Sequence, residues 1–374
     1  MKRIKSIDTL RGWCIVTMIF GHMLSWWVRL EDRWLTSVFH SYLGDIIAGG
    51  LLFVSGLSAI IFIRRRLIKV EASNEINIEP IRNEYLFRAL CILILALIFN
   101  VGTAIGTLDP LYIWRWFIPL TMAVSLILGY PLLKTPKWFR ILLAVIIWIF
   151  HYYILSILLP YQGRFNIFGI IYYILYNPIG LHPILNYFSF FIIGTVIGEV
   201  IFEIYSKNDQ NDRRRILKNK LFLPTLTIGL ILILVGVLFF FPNFLHHGTP
   251  SSMLYSIGVL LTFFSILLIL EEFEVIRVEK SYRFFYFYSY YSLTIFFSHY
   301  IIYFIFLNQL NAFNFWIAFF GTFILLTLLI RFAYKKYETR CSLKAQIGRI
   351  SMVLVTRLEV NKKKKDRILL QNKT

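Results

Sequence analysis

Long, predominantly apolar runs recur along the whole chain, and no other feature limits its fold so strongly. A helix needs roughly 20 residues to cross a hydrocarbon layer. Ten stretches approach that length: 10–29, 42–63, 86–106, 113–133, 138–159, 184–205, 221–241, 253–271, 285–307 and 313–334. Apolar residues make up 58% of the chain and the mean hydropathy is +0.68, which excludes a water-soluble core as the main structure. In lipid every backbone N–H and C=O must bond internally, so spans without alternating polarity are helices. The expected fold is therefore an all-α, polytopic bundle of about ten transmembrane helices. The segment 165–178 (FNIFGIIYYILYNP) is apolar but short. It reads as a re-entrant or interfacial piece.

A formal net charge of +19 would suit nucleic acid, but its distribution points elsewhere. With the N-terminus inside, 34 of the 39 Lys and Arg fall at the cytoplasmic ends of the ten stretches. Only Arg29, Arg33, Arg115 and Arg164 fall on the opposite side. This asymmetry orients membrane proteins, and it places both termini in the cytoplasm of a multi-pass cell-membrane protein. The basic loops then face anionic lipid or an anionic cosubstrate, and no nucleic acid is expected. The basic start and apolar run lack a small-residue cleavage site, so 10–29 reads as an uncleaved first span.

Residues 1–337 read as one membrane domain and 338–374 as a basic cytoplasmic tail. Within the tail, AQIGRISMVLVTRLEV has the pattern of an amphipathic helix on a membrane surface. Cys14 and Cys91 lie in spans and Cys341 in the tail, which implies no disulfide framework. The chain has no Gly-rich phosphate loop, GxSxG elbow or zinc-spaced Cys/His cluster, and no metal is expected.

The first span carries a polar stripe. Successive helix residues are turned by about 100°, so Asp8, Arg11, Ile15, Met18, His22 and Ser25 share one face. At about 1.5 Å per residue, His22 lies roughly 16 Å deeper than Arg11. Ionisable residues inside a span are costly and point to function. A cation at the surface and an imidazole in the interior suit a phosphate-headed thioester. As structural alternatives, Arg11 would be an anchor paired to Asp8, and His22 would bond a backbone carbonyl.

The opening RIKSIDTLRGWCIVTMIFGH and the following GDIIAGGLLFVSGLSAIIFIRRR resemble the transmembrane acyltransferase superfamily. Arg11 and His22 match the Arg-x10-His motif of the acyltransferase-3 family. The wider string R-x-x-S-x-D-T-x-R-G-x5-M-x-F is more similar to the catalytic domain of heparan-α-glucosaminide N-acetyltransferases and their prokaryotic relatives. Asp45, EYLFRAL around Arg88 and PILNYFSFFIIGTVIGEVIF also resemble that family. The close match covers about the first 65 residues and part of 86–100. Animal members carry an amide residue where this chain has His22, and their histidine precedes span two, where this chain has His40. The catalytic imidazole is thus His22 or His40; the spacing favours His22.

The resemblance implies transfer of an acetyl or short acyl group from cytoplasmic acyl-CoA to an extracytoplasmic sugar amine or hydroxyl. Arg11, fixed by Asp8, would hold the cosubstrate, with Arg88, Arg64 and Arg65 as further phosphate partners. Asp45 would orient a histidine or receive the acceptor, and Arg115 and His299 are candidates for the acceptor. Acyl transfer needs a base for the acceptor's proton, and histidine titrates in the right range. Arginine offers planar paired donors to phosphate. Arg64 and Arg65 equally suit an inside anchor, and His246 and His247 read as a solvated loop. Gly194 and Gly198 read as a close helix contact. A transporter or flippase for a sugar or lipid-linked glycan is the alternative function, although no repeats or broken helices are visible. A sensor without turnover is a third.

Overall fold

The structure, a computed structural model, describes residues 3–72, 78–177, 182–206, 210–274 and 279–371. Parts of the loops 64–85 and 207–220, part of the basic segment 277–283 and the last three tail residues lie outside the described residues. Among the described residues all regular structure is helical, apart from an isolated bridge between Val28 and Leu310. The chain runs through α1 (Lys5–Trp27), a short α2 (Trp34–Phe39), α3 (Asp45–Ala72), α4 (Glu79–Thr107), α5 (Ile118–Leu132) and α6 (Lys137–Leu158). It continues through α7 (Ile167–Tyr176), α8 (Ile184–Tyr205), a short α9 (Gln210–Leu217), α10 (Leu223–Phe239) and α11 (Pro250–Glu272). It ends with α12 (Glu279–Tyr290), α13 (Ser292–Ser298), α14 (Ala312–Tyr337) and α15 (Leu343–Gln371). Local chemistry marks several starts. Asn166, Thr249 and Asn311 accept backbone N–H bonds at the openings of α7, α11 and α14, as good N-caps do.

Seven helical segments among the described residues are long and apolar enough to cross a membrane. They are Leu30–Glu71, Glu79–Thr107, Lys137–Tyr161, Ile184–Tyr205, Asp212–Phe239, Pro250–Glu272 and Ala312–Tyr337. Three of the ten expected stretches are not among them. The stretch 10–29 lies in α1, which is long enough but diluted by its polar stripe. The stretch 113–133 forms helix only from Ile118, leaving 15 residues, because a 3-10 turn precedes it. The stretch 285–307 breaks at Tyr291 into α12, α13 and a 3-10 turn. The segment 165–178 holds the ten-residue α7, too short to cross.

The helices form an inner and an outer layer. The apolar windows of Leu30–Glu71 and Ile184–Tyr205 are 83% and 78% buried, so protein rather than lipid surrounds them. Those of Glu79–Thr107, Lys137–Tyr161, Asp212–Phe239 and Ala312–Tyr337 are only 17–22% buried. Their exposed Ile, Leu and Phe side chains, such as Ile98, Ile149, Leu234 and Ile324, form the lipid-facing surface. α1 sits inside, packed by α3, α11, α12, α13 and α14. Its first turn is held by Glu271, whose carboxylate accepts from the backbone N–H of Lys5 (2.8 Å) and Ser6 (2.6 Å). A carboxylate there satisfies orphan donors and meets the positive helix end.

Glycines let α3 and α8 touch at the backbone. A Cβ on Gly56 would run into the Phe191 carbonyl, one on Gly194 into the Phe53 carbonyl, and one on Gly198 into Leu57 and Ile60. The close contact read from Gly194 and Gly198 is thus present, with Gly56 as its counterpart. α15 lies against α4 and α13, with Ser342, Ile347, Ser351 and Val355 buried. Val in place of Gly194 would drive the two inner helices apart. The expected cost is that of overpacking, about 1–3 kcal/mol, read as a lower thermal midpoint in detergent; an unchanged midpoint would show that the seam yields freely.

Candidate active site

The polar stripe of α1 runs along three neighbouring spaces that share lining residues. The first is a basic cleft of about 540 Å³, lined by Arg3, Arg11, Arg65, Arg66, Lys69 and Arg88 among others. The second is a mainly apolar neck of about 190 Å³. The third is a cavity of about 880 Å³ that holds His22, His40, Arg115, His182, His246 and His247 in its wall. Arg11 and Ser58 line both cleft and neck, and Leu51, Ile118 and Phe296 line both neck and cavity. Along α1, Arg11 stands at the cleft, Ile15 at the neck, and Met18 and His22 at the cavity.

At the cleft, Arg11 donates to Ser58 Oγ (2.6 Å) and Ser289 Oγ (3.3 Å) and lies 3.5 Å from Asp8. Asp8 also accepts from Arg3 (2.5 Å), Ser289 (3.0 Å) and Tyr282 (3.3 Å). Asp8 therefore anchors a network that holds Arg11 at the mouth of the neck. Arg88 and Arg66 share Glu84, at 2.6 and 3.2 Å. Arg11, Asp8, Arg65 and Arg88 all line this one cleft.

Arg64 does not, which corrects its place among the phosphate partners. Neighbouring residues on α3 point about 100° apart, and this one turns to α8. There Glu199 pairs with both Arg64 and Arg140, and Arg140 also donates to Thr195 Oγ (3.0 Å). Arg140 is fully buried, so this group is a structural clamp joining α3, α6 and α8.

Lys344, from the first turn of α15, enters the site unannounced by any motif. It lines the neck, and among the described residues its ammonium makes no hydrogen bond or ion pair. The residue as a whole is exposed; enclosure of its ammonium at the neck wall, with Arg11, Arg3 and Arg88 nearby, lowers its pKa to about 7, while Asp8 pulls the other way.

In the large cavity, His22 stacks on Trp26 with centroids 4.9 Å apart and meets the His299 ring at 5.0 Å. His299 stands behind it. Its Nδ1 donates to the Phe296 carbonyl at 2.6 Å, and it is absent from the cavity wall. Its expected contact with the acceptor is corrected accordingly: the carbonyls of its own helix claim the ring. His40 Nε2 lies 2.8 Å from Ser25 Oγ, which is also within hydrogen-bond distance of the Gly21 carbonyl. The direction of the Ser25–His40 hydrogen bond follows the His40 tautomer, because the Ser25 hydroxyl can give its one proton to either partner.

Asp45 opens α3 at the cavity wall and is 7% exposed. Its Oδ1 accepts from Tyr187 Oη at 2.6 Å and meets His247 Nδ1 at 2.6 Å. His247 lies in an exposed loop, as its reading as part of a solvated loop has it, but that loop after α10 folds back far enough to meet α3. His182 also lines the cavity, and its pKa is pushed down to about 3, chiefly by burial, with His247 next and Asp45 opposing. It is neutral at any working pH. Arg115 reaches the same cavity, with its guanidinium over the Tyr112 ring at 5.3 Å. His182, His247 and Lys344 had no motif to mark them, and Tyr187, though inside the string PILNYFSFFIIGTVIGEVIF, had nothing to pair it with Asp45, since their partners are distant in the chain.

The described residues thus form a helical membrane bundle in which a basic cleft, an apolar neck and a histidine-lined chamber adjoin one another. Residues 3–240 match the family model described as heparan-alpha-glucosaminide N-acetyltransferase, catalytic, and the chain belongs to that family. It is a membrane protein of an acetyltransferase family. No curated protein matches it. His246, His247, His299 and Lys344 lie beyond the matched residues.

Glu199 supplies the prediction for this region. Alanine in its place leaves Arg140 buried without its counter-charge, an expected loss of about 3–5 kcal/mol. The check is the unfolding midpoint in a denaturing-detergent titration, where a change near zero would mean that water reaches Arg140.

Proposed function

We propose that this chain moves an acetyl or short acyl group from acyl-CoA to a sugar amine or hydroxyl of a glycan. The donor is taken up on the basic, cytoplasmic side and the acceptor is met on the opposite side of the cell membrane. The single observation that carries this reading is the lining shared between the basic cleft, the neck and the histidine cavity. Phosphates need cations and planar donors, which Arg11, Arg65 and Arg88 supply under the guidance of Asp8. The unpartnered ammonium of Lys344 in the neck wall fits the same anionic ligand. A narrow, mainly apolar neck fits the flexible arm between phosphates and thioester. His22, about 16 Å further along α1, is where the thioester would arrive, and Arg115 is placed to meet the acceptor. His40 and Asp45 stand around that point.

On this reading the chain has ten spans with both termini cytoplasmic. α1, α5 and the broken α12–α13 cross as protein-covered elements alongside the seven apolar segments. Residues 1–337 form the acyltransferase domain, and the tail 338–374 contributes Lys344 to the donor path before reaching the membrane surface. The Lys and Arg distribution supports that topology. Membership in an acetyltransferase family weighs against the transport alternative.

The first test is saturable binding of labelled acetyl-CoA to the purified protein in detergent. Arg11→Ala is expected to weaken binding about 10- to 100-fold, the loss of a charge-assisted contact. His22→Ala is expected to bind acetyl-CoA but to release no thiol. No binding to the folded wild type would remove the proposal.

Lys344 adds a pH dependence with a definite sign. Its ammonium is charged below a pKa of about 7 and neutral above it, so its attraction for an anion is strongest at low pH. The ratio of wild-type to Lys344→Met affinity for CoA should fall between about pH 6 and about pH 9. Taking the ratio removes the titration of the ligand's own phosphates, and a flat ratio would exclude Lys344 from the site.

A further inference from the structure

Four imidazoles besides His246 face the large cavity, and their surroundings differ. His22 stacks on Trp26 and meets the tilted His299 ring, with no carboxylate at hydrogen-bond distance among the described residues. His40 Nε2 shares a hydrogen bond with the Ser25 hydroxyl. His182 is held too far down to take a proton from anything but a strong acid. His247 alone of the four is joined to a carboxylate at hydrogen-bond distance, with its Nδ1 2.6 Å from Asp45 Oδ1.

Asp45 is itself well fixed. It is buried at the opening of α3, and the Tyr187 hydroxyl from α8 donates to the same oxygen at 2.6 Å. A carboxylate that accepts an Nδ1–H sets the imidazole's tautomer and orientation, which leaves Nε2 as the basic nitrogen. It also stabilises the imidazolium that forms when Nε2 takes a proton. The His247 side chain is 40% exposed and lies in the wall of the cavity, so a substrate there can reach it.

We infer that His247, held by Asp45, is the base that deprotonates the acceptor. This rests on the acyltransferase reading above and names a residue beyond the stretch matched to the family. As the acceptor's oxygen or nitrogen attacks the thioester carbonyl, its proton passes to His247 Nε2. The new C–O or C–N bond forms, the C–S bond breaks, and the CoA sulfur leaves with the electron pair. The imidazolium then returns the proton to that sulfur, so the base is regenerated and acyl-CoA plus acceptor gives acylated acceptor plus free thiol. Tyr187 is a positioning residue that acts through Asp45. The other charged or titratable groups around the chamber are His22, His40, Tyr42, Arg115, His182, His246 and Tyr300.

The experiment measures thiol release from acetyl-CoA, with glucosamine as acceptor, by the full-length protein in detergent. His247→Gln should lower kcat about 100-fold or more, the usual contribution of a positioned base, with the KM for acetyl-CoA unchanged. The acid limb of the wild-type pH–rate profile should vanish in that variant. His247→Gly, beside the natural Gly248, should regain turnover when free imidazole is added, a response that a merely structural role would not give. Wild-type turnover in His247→Gln, or a His247→Gly defect that imidazole leaves untouched, overturns the inference. If either result comes with normal acetyl-CoA binding and wild-type thiol release, the acyltransferase reading stands without it. Wild-type protein that neither binds acetyl-CoA nor releases thiol overturns both.

Discussion

A charged side chain cannot be left facing hydrocarbon, and the architecture follows from that cost. α1 carries Asp8, Arg11 and His22 on one face, so lipid is a poor neighbour for it. The helix is instead wrapped by α3, α11, α12, α13 and α14. Each enclosing element supplies a polar partner or a wall where the stripe needs one. Ser58 and Ser289 meet Arg11, Tyr282 and Ser289 meet Asp8, and His299 backs His22. The strongly apolar helices α4, α6, α10 and α14 are left to face lipid, where the hydrophobic effect needs no partner.

Enclosing a polar helix requires the inner layer to hold its shape around open space. Two devices on α3 and α8 do so. The Gly56, Gly194 and Gly198 contacts bring the two backbones together, and Glu199 ties Arg64 and Arg140 across three helices. A buried charge group of this kind adds little net stability, but it is costly to break. It therefore fixes one arrangement of α3, and with it the positions of Asp45 at one end and Arg65 near the other.

The site separates its tasks along one axis. Most of the cations gather at one end and the imidazoles at the other, with a neck between them; Arg115 alone of the named arginines stands in the wall of the imidazole chamber. Around the chamber, similar residues acquire different chemistry from their neighbours. A carboxylate joins His247, a hydroxyl joins His40, and His182 sits in surroundings that keep it neutral.

The amino-acid sequence alone determined the helical membrane class and the α1 stripe. Both rest on local periodicity or on composition, which a linear chain displays openly. The family resemblance in the first 65 residues was legible for the same reason, as short fixed spacings. Only the tertiary structure decided that Arg64 clamps Glu199, that His299 stands behind His22, that Lys344 enters the neck, and that His247 meets Asp45. These are contacts between residues far apart in the chain. Helix rotation and loop return settle them, and those depend on packing the whole bundle at once. The three stretches of the ten that did not form long apolar helices fail for a related reason: a helix sheltered by protein can afford polarity, a short length or a break that a lipid-facing helix cannot.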